Sequence, residues 1–311
     1  MHLYARAVGL SEISSRSSIE TLLNTIKEDA MRNNSIIYDS EGESQDSFYE
    51  AQIDYCMLKR QNGTEFEDMG GLVIRGFYNP EDKIFEQTFY FPYIKGNVPR
   101  YNREMAVERQ TDKEAYLAHC DEPRREVPPI FFVKNIVEYL NKTNGRRILT
   151  DRFVYLSALS TSGKIILPIR QTKAQIDRCK AATNKRNKLV DMAMKGNPEA
   201  IDNLTIGDYD MLSDICQRIR KEDIYTIVNS SFIPSGLECD HYTVVGNIMD
   251  VTSLTNEITG EEIYYMLLEC NDNMINLGIN HKDLYGTPQV GFRFTGRIWL
   301  QGCIELNAPL D

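Results

Sequence analysis

The chain has 311 residues, of which 42% are hydrophobic and 26% are charged, and its formal net charge is −10. Single domains usually have about 100 to 200 residues, so this length predicts two or three structural units. The negative charge disfavours nonspecific attraction to nucleic acid and to anionic membranes. The longest apolar runs fall far short of the roughly 18 to 20 residues that a membrane-spanning helix needs.

The seven cysteines are widely spaced, and none of them forms a C-x-x-C pair. This pattern is typical of free thiols in a reducing cytoplasm and not of a disulfide framework or a zinc site. The first ten residues, MHLYARAVGL, lack the charged, apolar and cleavage regions of a signal peptide. We therefore expect a soluble cytoplasmic protein without a bound metal or cofactor.

The N-terminal residues predict a short strand followed by a helix. HLYARAVG alternates between apolar and polar residues, which favours a strand. Ser17 and Glu20 then form a capping-box pair at the start of a helix. The apolar residues of this helix recur at helical spacing and are Ile19, Leu22, Leu23, Ile26 and Ala30.

Residues 48–94 contain three aromatic and β-branched runs separated by turn residues, which predict an antiparallel meander. A charged stretch with a short helix follows. A second helix is predicted in FFVKNIVEYLNKTNG, where Gly145 marks its end. The segment 152–169 reads as a hairpin that turns at Ser162 and Gly163. These elements predict one α+β domain over residues 1–170.

The remainder of the chain divides into a helical and a β-rich part. Residues 171–236 predict a helical connector, whose second helix has Leu212, Ile215, Cys216 and Ile219 on one face. Residues 237–311 contain about five short strands, with a turn at Thr259 and Gly260 and glycines inside strands. This size and strand number favour a small OB-like β-barrel, and a curled open sheet is the alternative.

Three stretches carry a resemblance to a known family: YARAVGLSEISSR, GLECDHYTVVGNI and GFRFTGRIWLQG. They resemble an uncharacterised family of cytoplasmic proteins from Gram-positive anaerobic bacteria, over the whole length of the chain. The resemblance implies a bacterial cytosolic origin. It implies no activity and no site residues, because the family has no known function.

The stretch GFRFTGRIWLQGCIEL contains Trp299, the only tryptophan of the chain. Read as a strand, it places Trp299 with Arg293 and Arg297 on one face. The other face is apolar and consists of Phe292, Phe294, Ile298, Leu300, Ile304 and Leu306. The tryptophan face would either cover a contact with another part of the protein, stack bases of an oligonucleotide, or be an ordinary barrel position.

Two observations bear on the oligonucleotide alternative. Tyr264 or Tyr265 on a neighbouring strand would add a second stacking platform. Residues 239–311, however, contain ten acidic and three basic side chains, a net charge of −7 that repels phosphates. We therefore favour a contact with another domain or with a partner.

The segment 171–195 is basic, with five Lys and two Arg against two Asp, a net charge of +5. Charge runs on helices are usually solvated faces, but this one would also fit phosphates or an acidic protein surface. Its candidate binding residues are Lys180, Lys185, Arg186 and Lys188.

Known catalytic motifs are absent from the sequence: there is no P-loop, no G-x-S-x-G and no H-E-x-x-H. His119 beside Cys120 and His241 near Cys239 supply only half of a nucleophile or zinc arrangement. We therefore expect a noncatalytic binding or interaction protein that engages a protein partner or self-associates. The alternatives are an oligonucleotide- or nucleotide-binding module and, more weakly, an enzyme with an interdomain cleft.

Overall fold

The computed structural model describes residues 2–13, 15–39, 48–110, 115–120, 128–169, 173–206, 225 and 228–306. The α-helices with defined bounds are α1 (Arg16–Asn33), α2 (Ile136–Thr143) and α3 (Lys173–Met194), and 3-10 helices cover Leu3–Val8 and His281–Asp283. The strands are β1 (Ile37–Tyr38), β2 (Tyr49–Asn62), β3 (Glu65–Asn79), β4 (Ile84–Ile94), β5 (Pro99–Arg109), β6 (Tyr116–Cys120), β7 (Ile130–Val133), β8 (Ile148–Ser160), β9 (Gly163–Ile166), β10 (Ser231–Pro234), β11 (His241–Asn256), β12 (Glu262–Cys270), β13 (Asn273–Asn280), β14 (Leu284–Tyr285) and β15 (Arg293–Ile304). The predicted α+β class is confirmed.

The first segment of the chain is a 3-10 helix, so the predicted strand is wrong. The side chain of His2 caps its start, and Gly9 ends it with a φ of 85°, in the left-handed region that favours glycine. Four of its side chains are buried and do not alternate: Tyr4, Ala5, Ala7 and Val8. The 3-10 helix is buried on several sides, so the alternation of apolar and polar residues in this segment did not indicate a strand.

Helix α1 confirms the first predicted helix, but its cap differs from the prediction. The hydroxyl of Ser15 accepts a 3.0 Å hydrogen bond from the backbone N–H of Ser18 and thereby satisfies a free donor at the helix start. Ser17 and Glu20, the predicted capping box, lie inside the helix. The buried side chains of α1 are Ile19, Leu23, Ile26 and Ala30, as the apolar spacing indicated.

The predicted meander is confirmed, because β2 pairs with β3 and β3 pairs with β4, both antiparallel. The predicted short helix in the charged stretch after it is wrong, since β5 and β6 lie there and pair with each other. In β5 only three side chains are buried, Asn102, Met105 and Val107, so the sequence shows little strand alternation. Helix α2 confirms the second predicted helix, which follows directly on β7.

Strands β8 and β9 confirm the strands predicted around Gly163, but they do not form a hairpin with each other. Both pair with β15, which runs antiparallel beside them. β9 also pairs with β14, and β8 also pairs with β5 and β13. β8 and β9 thus pair with successive parts of β15.

Eight strands close a β-barrel, in the pairing order β5, β6, β7, β15, β11, β12, β13, β8 and back to β5. A direct pairing of β8 with β15 crosses this circuit. The hairpin predicted at Thr259 and Gly260 joins β11 to β12, and Asn271 and Asp272 turn the chain from β12 into β13. The barrel therefore closes with strands that precede residue 171.

Two hydrophobic cores lie on the two sides of the barrel wall. The inner core fills the barrel and contains Phe294, Ile298 and Leu300 of β15. The outer core lies between the barrel, the sheet of β2 to β4 and the N-terminal helices, and it contains Trp299. Trp299 and Gln301 on the second face of β15 are therefore covered as well, whereas the sequence indicated one polar face.

The region 171–236 is described in part. Helix α3 is the first predicted helix of the connector, and residues 198–206 are also helical. The predicted face of Leu212, Ile215, Cys216 and Ile219 lies outside the described residues. No helix in the described part of the chain is long and apolar enough to cross a membrane. The division at residues 170 and 236 stays a prediction.

Candidate functional site

Trp299 forms the floor of a cleft on the outer surface of the barrel. Its side chain is 5% exposed and lies between aromatic rings from distant parts of the chain. The ring centroids of His2, Phe132 and Tyr4 are 4.9, 5.2 and 5.4 Å from that of Trp299. The three nearest rings around Trp299 therefore come from the first 170 residues of the chain.

A hydrogen-bond pair fixes the orientation of the indole. The Nε1–H of Trp299 donates to Oδ2 of Asp240 at 2.7 Å, and Oδ1 of Asp240 lies 2.8 Å from Nδ1 of His241. The antiparallel pairing of β11 with β15 places His241 directly opposite Trp299. The backbone N–H of Leu300 also donates to the carbonyl oxygen of Asp240, at 2.8 Å. The pairing of β11 with β15 therefore fixes the positions of both Trp299 and Asp240.

The cleft has a volume of about 680 Å³, and we call it the tryptophan cleft. It is lined by His2, Leu3, Tyr4, Thr88, Phe89, Tyr90, Phe91, Gln110, Ala115, Phe132, Glu238, Asp240, His241, Arg297 and Trp299. Aromatic side chains form most of the walls. Arg297 is exposed at the rim and is the one lysine or arginine among these described residues.

The side chains of His2 and Tyr4 in the wall of the tryptophan cleft are uncharged at neutral pH. Burial lowers the pKa of His2 to about 4. Burial raises the pKa of Tyr4 to about 12. The Nδ1 of neutral His2 accepts from the backbone N–H of Tyr4 at 3.3 Å. The walls therefore suit an apolar or aromatic molecule, and Arg297 suits an anionic group on it.

Arg293 does not line the cleft, although the sequence places it on the same strand face as Arg297 and Trp299. It is 3% exposed, and burial lowers the pKa of its guanidinium. Its nitrogen atoms donate to three backbone carbonyl oxygens, those of Leu167, Val228 and Tyr225, at 2.7 to 3.0 Å. Arg293 thus joins the chain segments on either side of the helical region to the barrel.

The remaining binding candidates lie elsewhere. The hydroxyl of Tyr264 is 2.6 Å from Nε2 of His281, and Tyr264 does not line the tryptophan cleft. On α3, Lys185 and Lys188 are exposed and Arg186 is half-buried, whereas the side chain of Lys180 lies outside the described set.

The residues considered for catalysis are not brought together. On β6, His119 is exposed and Cys120 is buried, because neighbours on a strand point to opposite faces. Cys239 is exposed beside Asp240, and His241 contacts that aspartate instead. Among the described residues no group of three or more His, Cys, Asp or Glu is arranged to hold a metal ion.

Sequence reasoning missed most of the cleft. His2 and Tyr4 at the start of the N-terminal 3-10 helix, Phe91 of β4 and Phe132 of β7 come from three elements that are far apart in the chain, and nothing local marks them as neighbours. Asp240 lies between Cys239 and His241 in the sequence, and no local pattern marks it as a partner of Trp299. A useful signal was the placement of a single tryptophan among polar residues on a strand.

Together the fold and the cleft define a mixed α+β protein with a closed β-barrel and a ligand-sized aromatic cleft on its outer wall. The chain belongs to a family described as a domain of unknown function from E. rectale (DUF3881), whose model matches residues 5–302. The resemblance to a family from Gram-positive anaerobes is thereby confirmed. Comparison with curated proteins and with solved structures gives no match.

Proposed function

We propose that this protein binds a small aromatic molecule with one anionic group in the tryptophan cleft, without converting it chemically. The observation that carries this function is the cleft itself, about 680 Å³ in volume and lined by aromatic rings, with Arg297 at its rim. Small-molecule sites usually have about 300 to 1,000 Å³ and mostly apolar walls with a few polar groups.

The charges at the cleft favour a single anionic group. Asp240 is already hydrogen-bonded by Trp299 and lies beside His241. The exposed guanidinium of Arg297 has the planar fork that matches carboxylate, phosphate or sulfonate oxygens. Glu238 lies at the same cleft and would repel a ligand with several negative charges.

A noncatalytic role is supported by the absence of known catalytic motifs from the sequence and by the placement of His119 and Cys120 on opposite faces of β6. The interaction hypothesis has separate support from α3, where exposed Lys185 and Lys188 offer cations to an acidic partner surface. The weaker alternative of an enzyme with an interdomain cleft has no such supporting observation.

The oligonucleotide alternative is less favoured. An oligonucleotide carries a phosphate at every nucleotide and would be repelled by the net charge of −7 of residues 239–311, whereas a ligand with one anionic group needs only Arg297. The OB-like description remains a proposal for the ring β11, β12, β13, β8 and β15, which has the strand number of that fold. A cytoplasmic location is proposed from the cysteine pattern, and the described cysteines are free.

The fluorescence of Trp299 tests the proposed binding directly, because it is the only tryptophan of the chain. We would titrate the full chain with salicylate, with adenosine monophosphate and with 1-anilinonaphthalene-8-sulfonate. We expect a saturable change in emission with at least one of them. Arg297→Met should weaken that binding by about fivefold or more, since a charge-assisted hydrogen bond is lost.

Arg103→Met is the matched control, because Arg103 is also an exposed arginine on a strand and does not line the cleft. No emission change with any probe would overturn the proposed function. Equal weakening by Arg297→Met and Arg103→Met would also overturn it, because binding would then depend on net charge alone.

A further inference from the structure

A second cavity lies between β2, β3, β4, β8 and the end of β15. It has a volume of about 290 Å³. We call it the lysine cavity, because Lys134, between β7 and α2, forms part of its wall. Lys134 is 6% exposed, and its backbone N–H donates to the carbonyl oxygen of Gly302 at 2.9 Å. The lysine is therefore held firmly by the end of β15.

The ammonium group of Lys134 has no contacting counter-ion within the described part of the chain. Its Nζ donates to the carbonyl oxygen of Ile94 at 2.6 Å and to the hydroxyl of Ser157 at 2.9 Å. No carboxylate oxygen of the described residues lies within 4.0 Å of this nitrogen. Burial lowers the pKa of Lys134 to about 8, so the group is still mostly charged at neutral pH. Asp54 on the same cavity wall attracts the ammonium electrostatically but does not contact it, so one N–H of Lys134 remains for another acceptor.

Gln52, on the same cavity wall, has a buried acceptor that lacks a hydrogen-bond donor among the described residues. This side chain is 4% exposed, and its Nε2 donates to Oδ1 of Asp54 at 2.6 Å. The other end of the amide, Oε1, is buried and has no hydrogen-bond partner among the described residues. An unpaired buried acceptor costs about 1 to 3 kcal/mol, so a donor at this position would be stabilising.

We propose that the lysine cavity binds a small carboxylic acid that carries a hydroxyl or amino group. Its carboxylate accepts the remaining N–H of Lys134, and its hydroxyl or amino group donates to Oε1 of Gln52. Lys95 and Tyr155 on the same wall add a second cation and a further hydrogen-bonding group. The volume of the cavity limits the ligand to a small molecule. One such molecule would hydrogen-bond both the remaining N–H of Lys134 and Oε1 of Gln52.

Lactate and alanine are suitable probes, because they carry a carboxylate with a neighbouring hydroxyl or amino group. Propionate lacks the donor, and lactamide lacks the carboxylate. We would measure the thermal midpoint of the full chain with each probe, and the rate of Cys303 alkylation by iodoacetamide at the level of the peptide. Cys303 lines the cavity, so an occupant should protect it.

We expect lactate or alanine to raise the midpoint and to slow alkylation of Cys303, with an affinity about tenfold or more above that of propionate and lactamide. Lys134→Met should abolish the effect. Lys142→Met is the matched control on α2, because Lys142 is exposed and paired with Glu138. Gln52→Met should remove the preference for lactate or alanine over propionate.

Protection of Cys303 in the wild-type protein needs no variant, so the test stands even if Lys134→Met fails to fold. Absence of protection by both lactate and alanine would overturn the proposed site, as would equal protection by propionate. Loss of the effect in Lys142→Met would overturn it as well. The signal is independent of the tryptophan cleft, whose occupancy is read from Trp299 emission.

Discussion

The indole nitrogen of Trp299 donates a 2.7 Å hydrogen bond to the carboxylate of Asp240, and both side chains are less than a tenth exposed. Asp240 immediately precedes β11, whereas Trp299 lies in β15. The bond therefore connects the start of β11 to the outer face of the neighbouring strand β15. It also fixes the ring that forms the floor of the tryptophan cleft.

Replacing Asp240 by alanine should destabilise the protein by about 2 kcal/mol, because it leaves the buried Nε1–H of Trp299 without an acceptor. Urea unfolding followed by tryptophan emission measures this change. Cys239→Ser is the control, since the neighbouring Cys239 is exposed. If both variants unfold at the same urea concentration, Asp240 does not stabilise the fold through this bond.

Arg293 and Arg297 should respond differently to replacement by lysine. Arg293→Lys should cost about 2 to 3 kcal/mol, because the single nitrogen of an ammonium cannot take the positions of the three guanidinium nitrogens that bond the separate carbonyl oxygens. Arg297→Lys should change stability by less than about 0.5 kcal/mol, since its side chain is exposed. Thermal and urea unfolding of the two variants provide the comparison. A similar small loss in both would show that the Arg293 contacts contribute little.

Gly302 lies against the ring of Phe131, and a Cβ at this position would overlap that ring. Gly302→Ala should therefore destabilise the protein by about 1 to 3 kcal/mol through overpacking of the inner core. Phe131→Leu combined with Gly302→Ala should cost less than the sum of the two single changes, because the smaller side chain leaves room. Additive losses in this double-mutant cycle would contradict direct steric conflict.

Lys134→Met should change how stability depends on pH. The pKa of Lys134 is lowered to about 8 in the folded state from 10.5, so between these values the unfolded chain binds more protons and stability rises with pH. The wild type should therefore gain about 2 kcal/mol relative to Lys134→Met between about pH 7 and pH 9.5.

Urea unfolding of both proteins at each pH tests this dependence. The groups around Lys134 that titrate or carry charge, namely Asp54, Tyr93, Lys95, Tyr155 and Cys303, are present in both proteins, and their contributions largely cancel in the difference. A difference that does not vary with pH would mean that the lysine is not buried as a charged group.

Much of the local structure was predictable because each pattern depends on neighbouring residues. The stripe of Ile19, Leu23 and Ile26 indicated α1, and the aromatic runs of residues 48–94 indicated β2 to β4. The predictions were wrong where contacts with distant segments decide the structure. The 3-10 helix at Leu3–Val8 is buried on several sides, and β5 is a strand through its pairing with β6 and β8 although few of its side chains are buried.

The alternation of residues 292–306 by itself determined which side chains of β15 share a face, because the strand period of two depends only on the backbone. It correctly placed Phe294, Ile298 and Leu300 in one apolar set, which fills the barrel. Only the tertiary structure decided what covers the other face. His2, Tyr4 and Phe132 reach Trp299 through strand pairings and core packing between distant segments, and these long-range contacts leave no local periodicity in the sequence.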